Sequence, residues 1–381
     1  MNPQTADLIR ASLRGALEVE VGPTGLTPRR LPLSALAQSD SDWMRIAAEQ
    51  ASGVRCEFQT AATWIEMTVE TTGLYLPWVP DHVRWSVFSA TVDGEPVEDA
   101  AVTGGSELHL AEPGGPRFVK GKPAVARFEL GGAGGQERRV VVWLPQTDTV
   151  EIRDVRADAP LAPAEHLDRL RWWHHGSSIS QGSDAASPST TWVALAAAAA
   201  ALDLTNLGFG GSALLDPFIG RILRDSDADR LSVEIGINLV NADLMRRRAF
   251  GPAVHGLLDT IRDGHPATPL VLVSPLYCPI HEDTPGPGTF DLDALRAGEL
   301  KFRATGDPAE VAAGKLTLTV IRAELARIVG ERSDSHLHLV DGLELYGPAD
   351  HDERPLPDGL HPDAATHRSI GERFAKVGFP E

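Results

Sequence analysis

Four short segments of this chain carry residue types that could do covalent chemistry together. They are His174-His-Gly-Ser-Ser-Ile-Ser-Gln-Gly182, Asn206-Leu-Gly-Phe-Gly-Gly-Ser-Ala213, Gly236-Ile-Asn-Leu-Val-Asn241 and Asp358-Gly-Leu-His-Pro362. Acyl transfer needs a hydroxyl nucleophile, a base to take its proton, an acid group to hold that base, and N–H donors for the oxyanion. The first segment offers a serine at Ser178, the second a backbone N–H at Gly211, and the third a side-chain amide at Asn238. In the fourth, Asp358 and His361 stand three apart, so one short loop can present both. Read singly, each segment has an ordinary structural use. A serine-rich turn caps a helix, an asparagine makes a turn, and glycines permit a tight bend. Their order along the chain gives them a joint meaning.

That meaning depends on the elements that place them. After Arg169 short apolar runs alternate with helical segments: a strand over Leu170–His174, a helix over Thr191–Leu202, a strand over Leu204–Leu207 and a helix over Ala213–Arg224. LSVEI is a third strand before a helix over Ala242–Asp263, and PLVLVSPLY a fourth. A helix near Pro308–Val329 opens on Asp307-Pro308, a capping residue followed by proline at the first helical position. LHLVD is a fifth strand and His361–Val377 a final helix. This alternation predicts an α/β fold, a five-stranded parallel sheet with helices on both faces. Such sheets bind ligands beyond the carboxyl ends of their strands, and the chemical segments follow strand ends.

The first part of the chain reads differently. From about Cys56 to Pro160, runs such as WIEMTVETTGLYL, HVRWSVFSATV, ARFELGG and VVVWLP lie between turn signals DGEP, GGSE, EPGGP and GGAGG. They predict an antiparallel β-sandwich, with DTVEIRDVRADAPL its last strand and PLAPAEH a linker. The expected division is a sandwich domain over 1–165 and an α/β domain over 166–381.

The four segments, in this order, resemble the blocks of the SGNH (GDSL-like) serine hydrolases over about 210 residues from Arg171 onward. The GSSISQG turn and the preceding β-rich region resemble a branch with an N-terminal β-sandwich. The resemblance implies a flavodoxin-like α/β sheet and an esterase. It makes Ser178 the nucleophile, since Gly176-Ser177-Ser178 overlies the name-giving Gly-Asp-Ser, and Asp358 and His361 the rest of the triad. It places the oxyanion hole at the N–H groups of Ser178 and Gly211 and the side chain of Asn238. Two residues depart from the pattern: Ser177 stands where the motif has Asp, and Leu239 follows the asparagine where Asp is usual. An acyltransferase using the same triad is the alternative. The long segment from Cys278 to about Asp307, together with the β-domain, is expected to wall the site and favour short acyl groups.

Other readings are weaker. Gly208-Phe-Gly-Gly-Ser-Ala213 has dinucleotide-fingerprint spacing but follows the second strand, so no cofactor is expected. No G-x-S-x-G occurs, and a carbohydrate-binding protein on a degenerate scaffold conflicts with the full set of five site residues. No metal site is expected. His336 and His338 read as surface or edge residues, His174 and His175 as packing, and His265-Pro266 lacks a companion Asp. Asp363 and His367 read as surface positions. A formal net charge of −18 disfavours nucleic acid and anionic membranes. Two distant cysteines, Cys56 and Cys278, suit a reducing cytoplasm. Arg29-Arg30 before LPLSALA mimics an export signal, but the apolar stretch is short. The expected partner is a small-molecule ester, with a homo-oligomer left open.

Overall fold

The computed structural model describes residues 1–75, 85–110, 117–132 and 135–380. Parts of four expected features lie outside these residues: Leu76, the start of HVRWSVFSATV at 82–84, EPGGP at 112–116 and the centre of GGAGG at 133–134. The chain forms two compact units. One comprises Met1–Leu36, Arg45–Asp168 and Ser187–Ser189, the other Ala37–Met44, Arg169–Ala186 and Thr190–Glu381.

The first unit holds two seven-stranded sheets. In one, Arg55–Thr60 pairs with Arg138–Trp143, which pairs with Ser86–Val92. In the other, Trp64–Tyr75 is flanked by Thr149–Ala157 and Ala124–Glu129. The long strand alternates as its sequence requires: Ile65, Met67 and Val69 are fully buried while Trp64, Glu66 and Thr68 are half-exposed. Ile65, Met67 and Val69 share one core with Phe58, Phe88, Val140 and Val142 from the other sheet. Every ladder is antiparallel except Trp64–Tyr75 with Ser106–His109. PLAPAEH is not a bare linker. Leu161–Pro163 pairs with Arg55–Thr60 at the sheet margin, where a proline that cannot donate does least harm. Ahead of Cys56, helix Pro3–Ser12 and strands Leu13–Arg14, Glu18–Val21 and Leu26–Arg29 complete the unit. Arg30 is fully buried and donates through Nε to Gln50 O (2.5 Å) and through its terminal amine to Ala47 O. Burial lowers its pKa to about 9.

The second unit is built on a five-stranded parallel sheet, flanked by helices. Its strands run Arg171–Gly176, Asp203–Gly208, Arg230–Glu234, Leu270–Val273 and Leu337–Val340, and lie side by side in the order 2-1-3-4-5. Leaving the first strand in one direction and returning past it in the other reverses the layering, because such crossovers are right-handed. Helix Trp192–Ala199 therefore packs on one face with the final helix Ala364–Val377, and Pro217–Arg224 and Arg247–Gly264 pack together on the other. The reversal opens a crevice between the first and third strands at their carboxyl ends. No helix among the described residues is long and apolar enough to cross a membrane.

Helix starts differ from those expected. After Asp307-Pro308 the chain makes only a short 3-10 helix, Pro308–Ala313, because Gly314 turns it into the left-handed region (φ 92°). The long helix starts afresh at Leu318, capped by Thr317. The final helix begins at Ala364, with Asp363 as its cap, three residues later than expected. Its Phe374 is fully buried and stacks on Trp172 of the first strand (5.4 Å between ring centres) and meets Trp192 edge-on (5.0 Å). Phe374→Ala removes the ring that joins these elements and should cost about 3–5 kcal/mol, read as a lowered urea midpoint at unchanged slope.

Candidate active site

Three of the four chemical segments run off the carboxyl ends of strands in the parallel sheet. The first strand delivers the chain at Gly176 into a turn and a short helix, Ser178–Gln181. The second ends at Gly208, before Gly211, and the third at Glu234, before the short helix Ile237–Asn241 that carries Asn238. Asp358 and His361 precede the cap of the final helix. Gly208 also serves close approach, since a β-carbon there would lie 2.4 Å from Gln181 N. The fingerprint-like glycines thus let the second turn lie against the first.

Ser178, His361 and Asp358 form one continuous line. Ser178 Oγ is 2.9 Å from His361 Nε2, and His361 Nδ1 is 2.7 Å from Asp358 Oδ2. The other carboxylate oxygen accepts the backbone N–H groups of Leu360 (2.8 Å) and His361 (2.6 Å). Burial works against the charge on Asp358, but the His361 ring and these N–H donors outweigh it and hold its pKa below the ordinary value. A charged acceptor at Nδ1 keeps the proton on that nitrogen and leaves Nε2 as the base facing the serine.

The surroundings of the three donors expected from the sequence can be followed one by one. Among the described residues no protein group accepts from the N–H of Ser178 or of Gly211. Their neighbours are spent: Gly210 N–H donates to Gln181 Oε1 (2.7 Å) and Ser212 N–H to Phe209 O (3.0 Å). Asn238 is 3% exposed, and its Oδ1 accepts from Ala213 N–H (3.0 Å), which leaves the NH2 as its available edge. Gly211 has φ 68°, and a β-carbon there would lie 2.3 Å from Trp43 Nε1. Both conformation and space demand glycine.

Several residues near the site had no signal in the sequence. Trp43, 44% exposed, belongs to the second unit and lies against Gly211. The segment after Cys278 is not irregular throughout. Gly288–Phe290 and Phe302–Ala304 form a hairpin, and Phe302 N–H donates to Asp358 O (2.8 Å) while its ring meets His361 edge-on at 5.7 Å. Asp184, exposed and at φ 64°, brings a third ligand-type group within 4.8 Å of Asp358 and His361. Those two are already bonded to each other, so the cluster is the line just described with one carboxylate beside it. Glu234 reaches the nucleophile turn, accepting Ser177 N–H at 2.7 Å. Only proximity in the fold reveals these four.

Among the other histidines singled out in the sequence, His174 and His175 are buried, His336 is exposed, and His338 is half-buried on the margin strand. His265 is bonded between Thr268 Oγ1 (3.1 Å) and Ser226 Oγ (3.2 Å).

This constellation stands beyond the carboxyl ends of a sheet of this order. Residues 173–278 match the GDSL-like lipase/acylhydrolase family, which places the chain with enzymes that act on esters. The whole chain is similar to the salicylyl-acyltransferase SsfX3 from a tetracycline biosynthetic pathway, at 25% identity and TM-score 0.76, covering 96% of this chain and 94% of that one. It shares its fold with a protein described as a GDSL-like lipase from Bacteroides ovatus (18% identity, TM-score 0.64, covering 95% and 93%). It also does so with a family two carbohydrate esterase from Clostridium thermocellum (13%, 0.56, 94% of each). No protein with a curated description matches in sequence.

One surface expectation is corrected. His367 is fully buried, on the face of the final helix that also carries Thr366, Ile370 and Phe374. Its Nε2–H donates to Ser183 O (2.8 Å), just after the nucleophile turn, and its Nδ1 accepts from Trp192 N–H (3.3 Å). Both bonds need the neutral ring, and burial lowers the pKa to about 4. The unfolded chain therefore binds a proton near pH 6.5 that the folded one refuses. The stability from this group is complete above pH 6.5 and is lost as pH falls from about 6.5 through about 4, by up to about 3 kcal/mol. Urea unfolding across pH 4–7 should show this acid slope, and His367→Gln should flatten it.

Proposed function

We propose that the protein hydrolyses carboxylic esters through Ser178, His361 and Asp358. The observation that carries this reading is the unbroken hydrogen-bonded line from Asp358 through His361 to Ser178. Ser178 Oγ attacks the ester carbonyl as His361 Nε2 takes its proton. Asp358 stabilises the imidazolium that results. The N–H groups of Ser178 and Gly211 and the Asn238 amide receive the oxyanion. Collapse breaks the bond to the alcohol, which leaves with the proton from His361. Water, deprotonated by the same nitrogen, then frees the acid and restores the serine. Removing one oxyanion donor costs roughly 3 kcal/mol of barrier stabilisation. Among the described residues no group accepts from the Ser178 or Gly211 N–H, and Asn238 accepts through Oδ1 only, which supports this reading.

Short acyl groups suit the site best. Phe302 lies against His361, and Cys278 Sγ–H donates to Gly359 O (3.4 Å), so both ends of the segment over 278–302 are tied to the loop that carries Asp358 and His361. A second reading has one specific observation in its favour: the whole-chain likeness to an acyltransferase. There the acyl-enzyme passes its acyl group to an alcohol or amine instead of water, and nothing in the first half-reaction changes.

Ser178→Ala should abolish turnover with the unfolding transition unchanged, and a fluorophosphonate should label Ser178. Labelling of Ser177 or Ser180 instead refutes the assignment. Asp358→Asn should lower kcat by up to about 10⁴-fold. Steady release of p-nitrophenol from p-nitrophenyl acetate without an added acceptor marks a hydrolase. A single burst that resumes only with an added alcohol marks a transferase. Across acyl chains of about two to twelve carbons kcat/KM should fall, because an open groove would instead gain about 0.8 kcal/mol per buried methylene.

A further inference from the structure

Beneath the nucleophile turn runs a buried row of polar groups. Trp172 Nε1–H donates to Ser232 Oγ (2.8 Å), and that oxygen is 2.7 Å from His174 Nδ1. His174 Nε2 is 2.8 Å from Ser180 Oγ, and Ser180 Oγ is 3.3 Å from Glu234 Oε2. The same oxygen of Glu234 accepts Ser177 N–H at 2.7 Å. Trp172, His174, Ser180 and Ser232 are at most 1% exposed, and Glu234 is 7% exposed. None of these groups takes part in the reaction proposed above.

We propose that Glu234 is a positioning residue for Ser178: its ionised carboxylate terminates the chain Trp172→Ser232→His174→Ser180 and clamps the turn on both sides of the nucleophile. The proposal rests on Ser178 being that nucleophile.

The direction of the chain follows from what each group can donate. An indole N–H only donates, so Ser232 Oγ accepts from Trp172. The Ser232 hydroxyl then donates to His174 Nδ1, the Nε2–H of the neutral ring donates to Ser180, and the Ser180 hydroxyl donates to the carboxylate. Every proton has an acceptor. In the opposite direction His174 Nδ1–H would donate to Ser232, whose own hydroxyl proton then has no acceptor among the described residues, and Glu234 would need to carry a proton. A buried polar group left without a partner costs about 1–3 kcal/mol. Burial raises the pKa of Glu234 above its ordinary value, against the bonds from Ser177 and Ser180, which favour the charge; the ionised form assigned here rests on the donor geometry. His174 is neutral, since burial keeps its pKa well below the ordinary value.

Geometry connects this chain to the reaction. Ser177 and Ser180 bracket Ser178 in sequence, and both end on one oxygen. Ser177 Oγ in turn accepts from Ile179 N–H (3.3 Å). The turn is thus tied to the end of the third strand, and with it the position of Ser178 Oγ relative to His361. Ser177 stands where the name-giving motif carries a carboxylate; here the carboxylate beside the turn comes from the neighbouring strand.

Glu234→Gln keeps the shape and removes the charge. It should lower kcat on the order of 100-fold, the size of effect expected of a small displacement at a reacting atom, while KM stays within about twofold. Fluorophosphonate labelling of Ser178 should slow by a similar factor. Nitrogen–proton correlation spectra of the wild-type protein should show His174 as the neutral Nε2–H tautomer. That measurement needs no variant to fold. A wild-type His174 protonated at Nδ1, or a folded Glu234→Gln protein with unchanged kcat and labelling rate, overturns the proposal. Label found on a serine other than Ser178 in the wild type overturns the catalytic assignment instead, and the positioning role falls with it.

Discussion

The site is organised around the carboxylate of Asp358. It is a buried charge, and a buried charge persists only where fixed donors replace the water it has lost. Two of those donors are the N–H groups of its own loop, and the third is the ring of His361. The same bonds that keep Asp358 ionised therefore shape the loop and choose the imidazole tautomer. Remove the charge, and loop conformation, ring orientation and the basicity of Nε2 lose their common cause. The hairpin at Phe302 is attached through the carbonyl of Asp358 itself, so the outer wall of the site depends on the same residue.

A second constraint is the placement of backbone donors without partners. Folded chains pair nearly all their buried N–H groups. Among the described residues the buried Ser178 leaves its N–H without an acceptor, as does the exposed Gly211, while Gly210 and Ser212 on either side of Gly211 do not. The parallel sheet makes this affordable, because its strands stop at one edge and the turns that follow face a crevice open to solvent and ligand. The acidic net charge of the chain has no part in this arrangement, which depends on local dipoles.

Much of this was legible in the sequence, for a physical reason. The strands of the parallel sheet are short apolar runs, and the segments after them must be turns, so periodicity and punctuation placed the first three chemical segments at strand ends, while the choice of Ser178, Gly211 and Asn238 within them rested on the family resemblance. Asp358 and His361 were legible because their partnership is local, three residues apart. What was not legible depends on contacts between distant segments. Glu234 looks like the last residue of an apolar strand, and nothing near it announces that it meets Ser177. Phe302 lies in a stretch whose sequence suggests only a loop, and its hairpin needs Gly288–Phe290 as a partner. His367 was misread as a surface position because its burial depends on distant partners, Trp192 and Ser183, that meet it only in the fold. The same holds for Leu161–Pro163, where proline in the sequence suggested a linker and an edge strand tolerates it.

The chain does not pass from one unit to the other only once. Ala37–Met44 are grouped with the α/β unit although they precede nearly all of the sandwich, and Ser187–Ser189 make the reverse excursion. The consequence falls on anyone who cuts the gene. A fragment beginning at the apparent boundary near residue 169 contains Ser178, Asp358 and His361 yet lacks Trp43, the residue that lies against Gly211. Deletion, domain transplantation and circular permutation of this protein must therefore respect an interleaved inheritance, in which part of the α/β unit is encoded before the sandwich.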